Sequence, residues 1–199
     1  LYSFSVKPLV WLQRLLLMMI AAMGVAFVIM VSLAYSVDTI VTWSLPTVPI
    51  SLWLNALMGG PLLAAITLYA AQWRALAGRF GLLLMTVPFI AFAANMVVYI
   101  VQGRLLNGIA NSVLAAADLV PHYRTMLLAF ALMCFAGCVL AAFTMHVVSR
   151  EAVVRGGDEL AFSKRVLVRL LVSCLLAFAG IFVMRFAFYM MHLTVGLAV

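Results

Sequence analysis

Apolar residues in this chain run in continuous blocks, each closed by a short polar or proline-containing connection. The blocks cover about residues 9–35, 49–72, 80–102, 125–148 and 166–190, the first including LLLMMIAAMGVAFVIMVSLAY. Each reaches the ~20 residues that an α-helix needs to cross a ~30 Å hydrocarbon layer. Strands of a membrane barrel would instead alternate apolar and polar positions over ~10 residues. The pattern predicts an all-α integral membrane protein: one bundle of about five transmembrane helices, forming a single domain over residues 1–199.

The interruptions carry the finer information. SVDTIVTWSLPTVP, after the first block, contains Asp38 and no basic residue, and Pro46 and Pro49 stop a helix from running through it. Gly59-Gly60-Pro61 falls in the middle of the second block. Proline removes a backbone donor and paired glycines admit a neighbouring backbone, so the triplet is either a packing kink or a break that lines a ligand. GRLLNGIANSVLAAADLVPHYR is too polar to cross easily and predicts a short amphipathic helix at the interface, ended by Pro121. SREAVVRGGDELAFSKR is the most charged connection.

Composition agrees with this class. Of 199 residues, 68% are hydrophobic and 9% charged, against roughly 45–50% and about 25% in an ordinary soluble domain. The net charge of +7 is not a nucleic-acid signal, because the basic residues sit mostly in short connections, where they set topology. Lys7, Arg14, Arg74, Arg79, Arg150, Arg155, Lys164, Arg165 and Arg169, nine of the twelve, fall on one side. Positive-inside bias makes that side cytoplasmic, so the first and third connections and the C-terminus face outward, which in a bacterium is the periplasm. The chain starts at Leu1, and its first residues lack the basic start and apolar core of a signal peptide. Cys134, Cys138 and Cys174 lie inside apolar blocks and read as small buried hydrophobes rather than metal ligands.

The orientation gathers Asp38, Arg104, Asp118, His122, Arg124, Arg185, Tyr189 and His192 at the outer face. Cations on the translocated side oppose insertion, and ionisable groups near a membrane face line sites or meet partners. Arg185, Tyr189, His192 and Gly196 are spaced i, i+4, i+7 and i+11, one face of a helix. A cation, a phenol and an imidazole along that stripe suit the oxidation of a quinol, which needs donors for its ring oxygens and a proton acceptor near neutrality. The same residues also fit an ordinary interfacial belt, with Arg185 snorkelling, aromatic rings at headgroup depth and His192 solvated. His122 reads as a surface residue of the outer loop. His146 falls at the opposite face from the other two and no histidine sits mid-membrane, which argues against a bis-histidine haem.

Four segments carry a family likeness: AYSVDTIVTW, LMGGPLL, NSVLAAADLVPHY and RFAFYMMHLTVGLA. In order and spacing they resemble the membrane anchor subunit of bacterial dimethyl sulfoxide reductases. FYxxHxTVG and MGGPLL are the most specific pieces. The resemblance implies an eight-helix anchor of which this chain is the last five spans, with about three more upstream, in a bacterial inner membrane. It implies two partner subunits, one with iron–sulfur clusters and one with a molybdopterin centre, and menaquinol as the bound substrate, with no haem and no metal held by the anchor. Asp38, Tyr189 and His192 are then the motif-matched quinol candidates, with Arg185 set slightly differently. The family's other quinol-associated histidine and acidic residues fall mainly in upstream helices and are not carried over. Arg104, Asp118, His122 and Arg124 become candidates for partner docking. The alternatives from other classes are a small transporter, which the lack of an internal repeat and of mid-membrane charge disfavours, and a purely structural anchor.

Overall fold

The computed structural model describes residues 9–111, 113–154 and 163–194. Five long helices cover the five expected spans: α1 (Val10–Tyr35), α2 (Thr47–Ala70), α3 (Arg79–Leu106), α5 (Tyr123–Val154) and α6 (Lys164–Met190). Each is long and apolar enough to cross a membrane. Pro46 stands immediately before α2 and Pro49 within its first turn, where a proline costs no intrahelical hydrogen bond. Between α2 and α3 the chain makes a 3₁₀ turn, Arg74–Ala77. Gly81 seats α3 against that turn, since a Cβ there would collide with the Leu76 carbonyl oxygen.

One local expectation changes. The interfacial helix shrinks to a single turn, α4 (Ala116–Leu119), held by Asp118 Oδ2 accepting from the Ala115 N–H at 3.3 Å. The ends of the segment belong to α3 and α5, and before α4 Asn111 Oδ1 accepts from the Val113 and Leu114 N–H groups at 2.9 and 2.7 Å. An asparagine that caps its own loop competes with helix formation. The Gly59-Gly60-Pro61 triplet does not break α2, which runs through Pro61 unbroken. Of the two readings of the triplet, the contact favours packing, because a Cβ at Gly59 would meet the Phe178 ring of α6 at 3.0 Å.

Packing follows a helical stripe on each element. Val48, Ser51, Asn55, Met58, Leu62, Ala65 and Tyr69 are the buried face of α2; Met85, Pro88, Ala91, Asn95, Tyr99, Gln102 and Leu106 are that of α3. Lipid is as apolar as leucine, so large hydrophobics gain little by turning inward, and small or polar residues collect inside. The α5–α6 pair shows this most closely. Cβ atoms at Gly137 and Gly180 would lie 2.6 Å from Ser173 O and 2.5 Å from Cys134 Sγ. The three cysteines are unpaired and buried, and Cys134 donates to the Ala177 carbonyl at 3.4 Å. Helix α1 is different: it packs against α2, and among its residues only Ser32 is buried.

A buried polar chain ties α2 to α3. Asn95 donates to Asn55 Oδ1 at 2.7 Å, and Asn55 donates to the Tyr99 hydroxyl at 3.2 Å. Tyr123 of α5 extends it by donating to the Tyr99 carbonyl at 2.7 Å. Asn95 is fully buried, and its Oδ1 has no hydrogen-bond partner among the described residues.

Candidate functional site

The site forms where the first connection folds across the C-terminal end of α6. Two side-chain hydrogen bonds and a β-bridge lay it down: Thr42 Oγ1 donates to the Met191 carbonyl, Trp43 Nε1 donates to the Phe188 carbonyl at 3.2 Å, and Ile40 forms an antiparallel bridge with Thr194. Asn111, from the third connection, reaches the Thr194 carbonyl at 3.5 Å. The last carbonyls of a helix lack their usual intrahelical partners, so Phe188 in the last turn of α6 and Met191 just past it offer the acceptors that capture this loop.

That capture brings five rings together. Trp43 stacks on Phe188 with centroids 5.1 Å apart and planes 23° apart. Tyr35, the last residue of α1, stands edge-on to Phe188 at 5.1 Å and to Trp43 at 5.7 Å. Its hydroxyl lies 2.6 Å from that of Tyr189. His192 meets Trp43 edge-on at 5.1 Å. The Arg185 guanidinium sits 4.4 Å from the Phe188 centroid, 5.2 Å from Tyr35 and 5.6 Å from Tyr189. A cation over such rings is worth about 0.5–2 kcal/mol, more as water is excluded. Arg185 is half-buried and Tyr189 is 50% exposed, so the hydroxyl pair stays reachable from outside the bundle.

The expected residues fare unequally. Arg185 and Tyr189 share one face of α6 as their spacing requires. His192 does not belong to that helical stripe, because α6 ends at Met190; the turn at Met191 delivers it to Trp43 instead. Gly196 lies outside the described residues, as do Lys7 and Arg155. Asp38 is exposed in the turn two residues before the Ile40 bridge and makes no hydrogen bond among the described residues. His122 and Arg124 line a cleft of about 310 Å³ at the same end of the bundle, with Gly103, Asn107, Pro121 and Thr125. Arg104 is exposed in the last turn of α3 but does not line the cleft, and Asp118 is engaged in its local turn. No three metal-binding side chains come together among the described residues.

Tyr35 and Trp43 are the members that sequence reasoning missed. Both stand in AYSVDTIVTW, where aromatic residues near a span end read as membrane-interface anchors. Only the loop's return across α6 gives them another role.

Five spans, an inward-facing set of small and polar residues, and a loop-built cluster at one end define a multi-pass helical membrane protein. The model of the DMSO reductase anchor subunit family matches residues 4–191, and the chain belongs to that family. Two relatives come from Escherichia coli (strain K12). The C subunit of its anaerobic dimethyl sulfoxide reductase is 34% identical over 195 residues, and the anaerobic dimethyl sulfoxide reductase subunit YnfH 31% over 190; each match covers 94% of this chain and 60% of the relative. The chain thus spans about 60% of the length of the curated relatives it matches. No solved structure matches it.

Proposed function

We propose that this membrane anchor oxidises menaquinol at the Tyr35–Tyr189–Arg185 cluster and passes the electrons to an iron–sulfur subunit. That subunit would in turn serve a molybdopterin subunit in a dimethyl sulfoxide reductase-type complex. The observation that carries the reading is the Tyr35–Tyr189 hydroxyl pair, 2.6 Å apart beneath an arginine and half-open to the membrane. A quinol gives up two electrons and two protons when it becomes a quinone. Phenol hydroxyls can donate to or accept from a ring oxygen, and the guanidinium stabilises negative charge that develops there as the first proton leaves. His192, exposed beside Trp43, accepts a proton and passes it to water.

In this reading the cluster end is periplasmic, as the charge bias favours, and the partner subunits dock there over Arg104, Asp118, His122 and Arg124. The relatives' names support the assignment to a reductase complex. The test is the assembled complex in native membranes, assayed with menaquinol and with a reduced dye that feeds the partner subunits directly. Arg185→Gln and His192→Ala each slow menaquinol-dependent reduction, Arg185→Gln by about tenfold for a loss of about 1.4 kcal/mol, while dye-dependent reduction persists. Unchanged menaquinol turnover in both variants removes the cluster from the chemistry.

A further inference from the structure

His192 stands on backbone that α6 no longer supports, because the helix ends at Met190. Fixing such a residue costs conformational entropy, so contacts from elsewhere must hold it. Met191 and Leu193 are buried and His192 between them is exposed, the two-residue alternation of extended chain. Residues of the first connection lie antiparallel beside this strip. Ile40 bridges Thr194, Thr42 Oγ1 donates to the Met191 carbonyl, and the Trp43 ring meets the imidazole edge-on at 5.1 Å. Two further side chains reach the strip from the opposite part of the bundle. Gln102 Nε2 of α3 lies 3.8 Å from Met191 Sδ, and Asn111 Nδ2 donates to the Thr194 carbonyl at 3.5 Å.

Among these anchors Thr42 bears most directly on the imidazole. It holds the carbonyl that immediately precedes His192, and its chain neighbour is the indole that the imidazole touches. The Met191 carbonyl also accepts from the Leu193 N–H at 2.8 Å, so His192 is the middle residue of a three-residue turn closed on that oxygen. A hydroxyl has one hydrogen to donate, and Thr42, fully buried, gives it to this turn. We infer that Thr42 is a positioning residue for proton transfer: its hydroxyl fixes the Met191 carbonyl and thereby sets the His192 imidazole beside Trp43, the ring that Tyr189 also meets, at 6.2 Å. This rests on the quinol reading of the cluster, in which His192 accepts a proton. Placement matters there, because a base must come within about 2.6–3.2 Å of the group it deprotonates, or reach it through one water. Thr42 itself is buried and meets no substrate. Losing its hydroxyl does not orphan the Met191 carbonyl, which keeps the Leu193 N–H, so Thr42→Val should still assemble.

The experiment uses the assembled complex in native membranes, with dye-dependent reduction giving the amount of intact complex. Thr42→Val should lower kcat with menaquinol by about tenfold, a part of the ~10²-fold that a 1 Å misplacement costs. KM should hold, and Thr42→Ser, which keeps the hydroxyl, should restore kcat. In a His192→Ala background Thr42→Val should lower turnover no further, because the group it positions is gone. A merely structural role predicts losses that multiply. Multiplied losses, a serine that fails to rescue, or an unchanged kcat in Thr42→Val where His192→Ala is slow each overturn the inference. Thr42→Ala replaces the valine if that variant fails to assemble. Failure of the quinol reading looks different: His192→Ala and Thr42→Val then both turn over menaquinol at the wild-type rate. Disulfide formation in the double variant Ile40→Cys, Thr194→Cys decides in that case, since the two positions are bridged. Adding Thr42→Val should slow that oxidation several-fold, and an unchanged rate overturns the inference.

Discussion

Gly137→Ala is the sharpest test of how α6, and with it the site, is held. A methyl group at position 137 would sit 2.6 Å from the Ser173 carbonyl oxygen and 3.1 Å from the Ala177 nitrogen, both backbone atoms of α6. Ordinary contact begins near 3.4 Å, so the helices must part by roughly 0.8 Å, and no flexible side chain can give way instead. Overpacking of this kind costs about 1–3 kcal/mol, and a clash of backbone with backbone belongs in the upper half of that range. Alanine also returns about 0.8–1.0 kcal/mol of helix propensity. Gly24→Ala supplies the control, because a Cβ there meets nothing within 4 Å and only the propensity gain remains. The propensity contribution cancels between the two variants, leaving a difference of about 2–3 kcal/mol that belongs to the α5–α6 contact. Unfolding in mixed micelles by titration with a denaturing detergent, followed by circular dichroism, measures it. A difference within about 0.5 kcal/mol, the range of a neutral surface change, would refute the claim that these two helices touch backbone to backbone.

Further outcomes follow from the same geometry. Asn55→Leu removes the acceptor of Asn95 and the donor to Tyr99; an orphaned buried amide makes it about 1–3 kcal/mol less stable in the same micelle titration. Tyr35→Phe and Tyr189→Phe delete the two ends of one hydrogen bond, so the double variant should lose no more menaquinol turnover than the worse single one, and additive losses would show that the hydroxyls act separately. Cys134, Cys138 and Cys174 are buried and should resist maleimide labelling in intact membranes, then react once the protein is unfolded; rapid labelling beforehand would contradict the helix packing.

The membrane class and the five spans were legible because a run of ~20 apolar residues has few other uses. Which face of each helix turns inward was not legible from hydrophobicity, since Ala65, Asn95 and Ser173 are buried while Leu83, Phe182 and Leu175 face outward. In lipid the usual sign of burial disappears. At the site, the spacing of Arg185 and Tyr189 was readable because helical geometry fixes it. The place of His192 was not, because the helix stops at Met190 and a turn, not a stripe, delivers the imidazole. Trp43 was hidden for a different reason: it reaches Phe188 through a contact 145 residues apart in the sequence, which no local pattern encodes.

That separation bears on how the protein is made. Tyr35 and Tyr189 are 154 residues apart, and at ribosomal rates of about 5–20 residues/s the second is synthesised roughly 8–30 s after the first. Throughout that interval α1 stands in the bilayer with its terminal tyrosine and the Trp43 loop lacking the carbonyls that will later fix them. The cluster appears only when α6 inserts and turns its C-terminal end toward the waiting loop. A chain cut short before α6 can place its earlier spans in the membrane and still lack the partner that Tyr35 meets in Tyr189, so the hydroxyl pair reports that α6 has docked.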